Sequence, residues 1–287
     1  MPSKNFPIII SELKSLNYDS YLCSTVALQQ DFEKIATIFL LQAELKKISD
    51  IASEDMIGMI RLAWWKENLE DVFLKNSHPQ HHILEAILSF KDEVDFNLLS
   101  QSFQGFEKDF LEEKKFQKKS DLEDYIFKTY EVFFLIILKI LKFPDEILAG
   151  KIAKNLSVIS FYFDLLKKIK SEDEKTSRFF YEGFFEELKI EIKDWQKSAK
   201  ENNHEGNLLV IVKHFSKLIN EAAFDLKKIE KSLPQNSKNL LLKKDLTSIF
   251  LKDLRKNNFD LFQTNFSAKK LSVKLKFLGI IFRNSLF

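Results

Sequence analysis

Two short stretches place acidic and basic side chains at helical spacing. The first is Lys46-x-x-x-Asp50, preceded by Glu44, with Glu54 one turn further on and Arg61 beyond it. The second is Asp164-x-x-Lys167-Lys168-x-x-x-Glu172, which lies beneath Phe161-Tyr162-Phe163 and is followed by Arg178. Side chains four apart share a face of a helix, so each stretch gathers its charges into one patch. Such a patch can form part of a site, and its commonest fate is a solvated ladder of ion pairs. A third cluster, His78-Pro79-Gln80-His81-His82, has metal-ligand residue types. Pro79 forbids a settled helix between His78 and His82 and no nearby Cys completes a ligand set, so this cluster reads as a solvated loop. No Gly-rich phosphate loop, nucleophile elbow or dinucleotide fingerprint occurs.

The elements that must position these residues are long helices. From Ile35 to Asp50 the chain is rich in Ala and Leu and lacks Gly and Pro, so helix is the low-energy conformation. A second amphipathic run, Ile57 to Val72, carries Arg61 and the pair Trp64-Trp65, which read as packing residues. Across 287 residues there are only 6 Gly and 5 Pro, so few positions can host tight turns, and 45% apolar residues suffice for a core. Expected helices run over 29–50, 54–75, 81–90, 96–113, 121–142, 145–170, 181–200, 208–231 and 240–256. A turn and helix start are expected at 17–20 ahead of Tyr21, a break at 76–80, and a loop at Pro234-Gln235-Asn236. No alternating pattern supports a strand, and the fold class is all-α.

The net charge of +2, from 44 basic and 42 acidic residues, gives no global field of the kind that nucleic-acid binding favours. The single Cys23 excludes an intrachain disulfide and a multi-Cys zinc site. The first residues lack the apolar core of a signal peptide, and the longest apolar run, Val132 to Leu138, falls far below the roughly 20 residues that span a bilayer. These features imply a cytoplasmic protein, soluble or peripheral on the inner membrane. Residues 268–287 differ from the helical domain of 1–267: Leu271, Leu275, Leu278 and Phe282 share one helical face, and Lys269, Lys270, Lys274, Lys276 and Arg283 add positive charge without an acid. Such a segment can lie on an anionic membrane surface, and it can equally be a terminal helix docked on the bundle.

Tyr21-Leu-Cys-Ser24, Leu40-Leu-Gln-Ala-Glu44-Leu and Ile60-Arg61-Leu-Ala-Trp64-Trp65-Lys66-Glu-Asn-Leu69 resemble the opening of the squalene/phytoene synthase family. Leu122-x-x-Tyr125 resembles its central helix, and Phe161 to Lys168 with Ser177-Arg178-Phe179-Phe180 resembles its second active-site segment and the Gly-Arg-x-Tyr that follows. The resemblance implies a single-domain helical bundle of the isoprenoid synthase type. It also implies head-to-head joining of prenyl diphosphates, with two Asp-x-x-x-Asp motifs holding Mg²⁺ against diphosphate. Hard oxygen ligands suit Mg²⁺, and the metal neutralises the leaving group.

At the decisive positions this chain departs from that pattern. The first Asp of motif one falls on Lys46, and only Asp50 survives; the first Asp of motif two falls on Lys168, with Glu172 near the last. An ammonium at a ligand position repels Mg²⁺ and pairs with the remaining acid. Beyond Tyr125 the family has small residues that leave room for prenyl chains, where this chain has Tyr130, Glu131 and Phe134. Bulky side chains there fill a cavity rather than line it. Glu44-Leu45, Asp50, Arg61 and Trp65 are closer to the family's catalytically degenerate branch, which includes the mitochondrial complex I (NADH dehydrogenase) assembly factor and its alphaproteobacterial relatives.

Three readings follow. One is a non-catalytic protein without a cofactor that acts in respiratory-complex assembly through protein or membrane-surface contacts. The second is an active, Mg²⁺-dependent prenyl transferase using shifted ligands: Asp50, Glu54 and Asp55 for one cluster, Glu172, Asp173 and Glu174 for the other. The third is an anion-binding protein without turnover, holding a lipid or diphosphate through Lys46, Lys168 and Arg178.

Overall fold

The computed structural model describes residues 3–25, 29–77, 80–111, 116–170, 174–190, 206–265 and 267–285. Among these residues there is no strand. The chain divides into two compact units. One comprises Met1–Lys114, Asp124–Ser157 and Ser232–Leu240, the other Lys115–Glu123, Val158–Lys231 and Leu241–Phe287.

The first unit is organised around α3 (Gln29–Ile51). From Ile35 to Leu41 this helix is buried on every face, which requires partners all round. They are α1 (Phe6–Leu16), α2 (Tyr18–Ser24), α4 (Asp55–Leu74), α5 (His82–Ser89), α6 (Phe96–Glu107) and α8 (Val132–Ile140). The turn and helix start expected at 17–20 are a junction: Asn17 ends α1, and its Oδ1 accepts from the Ser20 amide at 3.1 Å to cap α2. On α4 the buried stripe is Gly58, Leu62, Trp65, Leu69 and Val72. The helix expected over 121–142 contains a change of winding. α7 (Lys119–Ile126) passes into a π-helical turn, Phe127–Glu131, before α8 begins. A π turn is a feature that sequence periodicity does not signal.

The second unit is built on phenylalanine. Phe163 on α9 (Glu146–Lys170) stacks on Phe250 at 5.1 Å, and Phe180 stacks on Phe215 at 6.1 Å. Phe215 belongs to α11 (Asn207–Ile229) and Phe250 to α12 (Gln235–Lys256). The loop expected at Pro234-Gln235-Asn236 is instead the start of α12: the Pro234 carbonyl accepts from Ser237 and Lys238, as a proline at a helix entrance can. The helix expected over 181–200 is much shorter where described. α10 (Phe184–Leu188) starts after Gly183 at φ 86° and stops at Lys189 at φ 57°. The Ile190 amide returns to the Phe185 carbonyl at 2.9 Å, a closing pattern that ends a helix. Residues 191–200 lie outside the described residues.

The terminal segment forms α13 (Leu271–Ser285). It buries Val273 and Phe277, while Leu275 and Leu278 of the apolar face noted in the sequence remain exposed. Lys276 lies 3.7 Å from Asp253 on α12.

Candidate functional site

Motif one occupies the last turns of α3. Glu44 faces Lys47, 3.3 Å away, and Asp50 is exposed near the helix end. Lys46 turns toward the π-helical turn. Its Nζ donates to the Tyr130 hydroxyl at 2.8 Å and lies 4.4 Å from the centre of that ring. The ammonium thus gains both a hydrogen bond and a cation–π contact. One turn earlier, the buried Gln42 amide donates to the Thr129 carbonyl at 2.8 Å. A π turn departs from the regular ladder of backbone bonds, and Gln42 brings the Thr129 carbonyl a donor from α3. Tyr130 and Phe134 are both buried, and Phe134 meets Phe39 of α3 edge-on at 6.0 Å. Of the three positions that the resemblance aligns with small residues of the family, Tyr130 and Phe134 carry buried aromatic rings and Glu131 a carboxyl.

The residues of motif one do not fit a hard divalent cation: Lys46 brings a positive charge to the position that the resemblance aligns with a ligand, and Glu44 is engaged by Lys47. Among the described residues no group of three or more His, Cys, Asp or Glu is placed to hold a metal ion. Glu54 stands at the N-cap of α4, and Asp50 and Glu54 are both exposed. Arg61 is also exposed and lines a cleft of about 150 Å³ with Glu44, Lys47, Ile48, Ile51, Trp64 and Trp65. The tryptophan pair divides its work: Trp65 is buried, whereas Trp64 is 43% exposed.

Motif two lies in the other unit. Lys167 Nζ is 4.0 Å from Asp164 Oδ1 and 4.2 Å from the centre of the Phe163 ring, and Lys168 is half-buried. Arg178 is buried, with its guanidinium 4.7 Å from the centre of the Phe179 ring, and its carbonyl accepts from the Phe116 amide. Glu172 and Asp173 fall outside the described residues, as does the Glu174 side chain.

The histidine cluster differs from its expected solvated loop. His81 packs against Trp65 at 4.9 Å and stacks on His82 at 4.6 Å, and His82 Nε2 lies 2.6 Å from Glu12. Burial, with His82 alongside, pushes the His81 pKa down and favours the neutral ring. Two tryptophan rings, which sequence spacing does not bring to the histidines, make this an aromatic cluster. His78 lies outside the described residues.

Glu131 was noted in the sequence for its bulk, and the structure adds a perturbed charge. Burial at the end of the π turn pushes its pKa from 4.5 to about 7, against the opposing pull of Lys154. A carboxyl with a raised folded pKa contributes stability that is complete below about pH 4.5 and lost as pH rises through about 7. The whole shift corresponds to roughly 3 kcal/mol, and solvent screening at this partly open position reduces it to about 1–2 kcal/mol. Glu131→Gln is therefore expected to raise stability by about 1–2 kcal/mol at pH 8 and to change it little at pH 4. Urea unfolding at the two pH values measures this. Equal effects at both would place the carboxylate in an ordinary solvated setting.

The fold defines the class of protein. The structure superposes on a dehydrosqualene synthase with a TM-score of 0.76 at 14% identity, covering 97% of this chain and 95% of that one. It superposes on the squalene synthase HpnC of Alicyclobacillus acidocaldarius with a TM-score of 0.69 at 12% identity, covering 89% and 95%. This is the all-α isoprenoid synthase fold. The squalene/phytoene synthase family profile matches residues 13–182, and the chain belongs to that family. Among curated proteins it is similar to complex I (NADH dehydrogenase) assembly factor 6. It is 28% identical to the human protein over 137 residues, 46% of this chain and 40% of that one, and 26% identical to the Rattus norvegicus protein over 134 residues. The chain thus matches about two-fifths of the length of these relatives.

Proposed function

We propose that this chain is a catalytically degenerate member of the squalene/phytoene synthase family that acts in respiratory complex I assembly through protein or membrane-surface contacts. The observation that carries the reading is Lys46. It stands where the family's first metal-binding Asp is expected, and it is engaged by the hydroxyl and ring of Tyr130. An ammonium held there would disfavour Mg²⁺, and Tyr130 and Phe134, which the resemblance aligns with small residues of the family, are both buried, which supports a filled rather than an open prenyl cavity. No cofactor is required by this function. The similarity to complex I assembly factors in human and rat supports the choice of process. The respiratory partner would be a complex subunit or another assembly protein.

The protein acts at the cytoplasmic side of the inner membrane in this reading. Among the described residues no helix is long and apolar enough to cross a membrane. α13 offers a surface for peripheral contact, with Leu275 and Leu278 exposed among lysines. The role is tested in the organism that encodes the chain. Deleting the gene should deplete assembled complex I on native gels and lower NADH-driven quinone reduction, with restoration by the wild-type chain and by Lys46→Ala. Normal complex I in the deletion strain would overturn the proposal.

A further inference from the structure

Part of the second unit carries a charge that the chain as a whole lacks. Residues 250–287 hold 8 basic and 2 acidic side chains, whereas the whole sequence is close to balance at +2. Neither acid lies fully exposed: Asp260 is buried, and Asp253 is half-buried with Lys276 3.7 Å away. Lys252, Arg255 and Lys256 at the end of α12 are exposed, as are Lys269, Lys270 and Lys276 on or beside α13. The Lys276–Asp253 contact places α13 against the last turns of α12, which brings the two sets of cations to the same part of the unit.

α13 is apolar on two opposite sides. Val273 and Phe277 are buried against the unit, while Leu275 and Leu278 look the other way with exposures of 59% and 47%. Lys274 and Lys276 stand about 100° to either side of Leu275, at the borders between the docked side and the open one. Gly279 is about 40° round from Leu275 on the open side, and a Cβ built there meets nothing within 4 Å.

Two exposed leucines alone would be ordinary. Their setting selects the partner. Lysine stems run along apolar surface and lift their ammonium groups toward water and phosphate. A leucine row edged by lysines on both sides therefore fits a bilayer interface, with the leucines among the first acyl carbons and the lysines at the level of the headgroups. An acidic protein would satisfy the cations and leave the leucines to find a matching pocket, whereas an anionic bilayer satisfies both at once.

We propose that α13 docks this chain on membranes containing anionic phospholipid, with the side of Leu275 and Leu278 inserted between headgroups and the cations of α12 and α13 facing the phosphates. This names the lipid for the membrane-surface contact of the assembly role and rests on that part of it.

Flotation of the purified chain with vesicles tests the proposal. Wild type should float with vesicles of phosphatidylcholine and phosphatidylglycerol, stay behind with phosphatidylcholine alone, and be released by added salt. Leu275→Gln with Leu278→Gln should lower the partition coefficient about tenfold or more. Lys269→Gln with Lys270→Gln should lower it by about fivefold for each cation lost. Gly279→Leu should raise it about fivefold, because its side chain extends the apolar row into open space. All five positions are exposed, so these variants should keep their helical circular dichroism. A folded wild type that does not float, that floats equally with both vesicles, or that is indifferent to the leucine changes would overturn the proposal. So would a wild type that does not float while the leucine variant fails to restore complex I, which would give this side to a protein partner. Depleted complex I in the deletion strain without flotation removes the lipid site alone, and flotation with normal complex I removes the assembly role alone.

Discussion

Gly58→Ala should destabilise the protein by about 2 kcal/mol, although alanine is the better helix former. Gly58 is on the buried stripe of α4, and a Cβ built there would sit 2.0 Å from Cε1 of Phe110 and 2.5 Å from both Cδ1 and Cζ. Three atoms of one ring edge are met at once, and Phe110 is itself buried on the short 3₁₀ turn Lys108–Phe110. The ring must move, and overpacking of this kind costs roughly 1–3 kcal/mol or somewhat more. Helix propensity returns about 1 kcal/mol of that. The decisive comparison is the same substitution in a Phe110→Ala background. With the ring gone only the propensity term remains, so Gly58→Ala should there become stabilising by up to about 1 kcal/mol. Chemical denaturation of the four proteins in the cycle measures this change of sign. The same positive cost in both backgrounds would show that the ring contact is not what requires glycine.

Removal of the Gln42 amide should have the next largest effect. Gln42 is buried on α3 and donates at 2.8 Å to the carbonyl of Thr129, which is buried in the π-helical turn. Gln42→Leu keeps the approximate volume and removes the donor, leaving a buried carbonyl without that bond. The expected cost is about 1–3 kcal/mol, the penalty for an unmade buried hydrogen bond rather than the smaller net value of an average one. Amide exchange should also quicken locally across 127–134, because the π turn loses one of its ties to α3. Denaturant unfolding together with mass-detected exchange checks both. A loss below about 0.5 kcal/mol with unchanged exchange would mean that the turn holds its own geometry.

The expected helices were legible where their signals were local. The Gly- and Pro-free run of α3, the Asn17 junction and the break after Leu74 all follow from residue types acting on their neighbours. What was not legible came from contacts distant in the chain. The π turn at 127–131 fits beneath α3, where Gln42 and Lys46 meet Thr129 and Tyr130, and nothing in its own residues announces it. The pairing of His81 and His82 with Trp65 and Glu12 likewise depends on which helices pack together. α10 ends at a left-handed Lys189, a conformation to which lysine gives no sequence signal.

The candidate site was legible as a set of departures. Lys46 in place of a carboxylate, and Tyr130 and Phe134 in place of small residues, are visible in the sequence. The contact of Lys46 with the hydroxyl and ring of Tyr130 required the structure. The charges on α9 were legible as a ladder, and Lys167 does lie beside Asp164.

The measurement that tests the central claim most directly is diphosphate release by the purified chain. Farnesyl and geranylgeranyl diphosphates would be offered with and without Mg²⁺, and organic extracts examined for squalene-like and phytoene-like hydrocarbons. The proposed degeneracy, with Lys46 at the position the resemblance aligns with a metal-binding Asp, predicts no metal-dependent release from a well-folded helical sample. Metal-dependent release with a hydrocarbon product, abolished by Asp50→Ala without loss of helical content, would contradict the account and place catalysis on the shifted acidic residues.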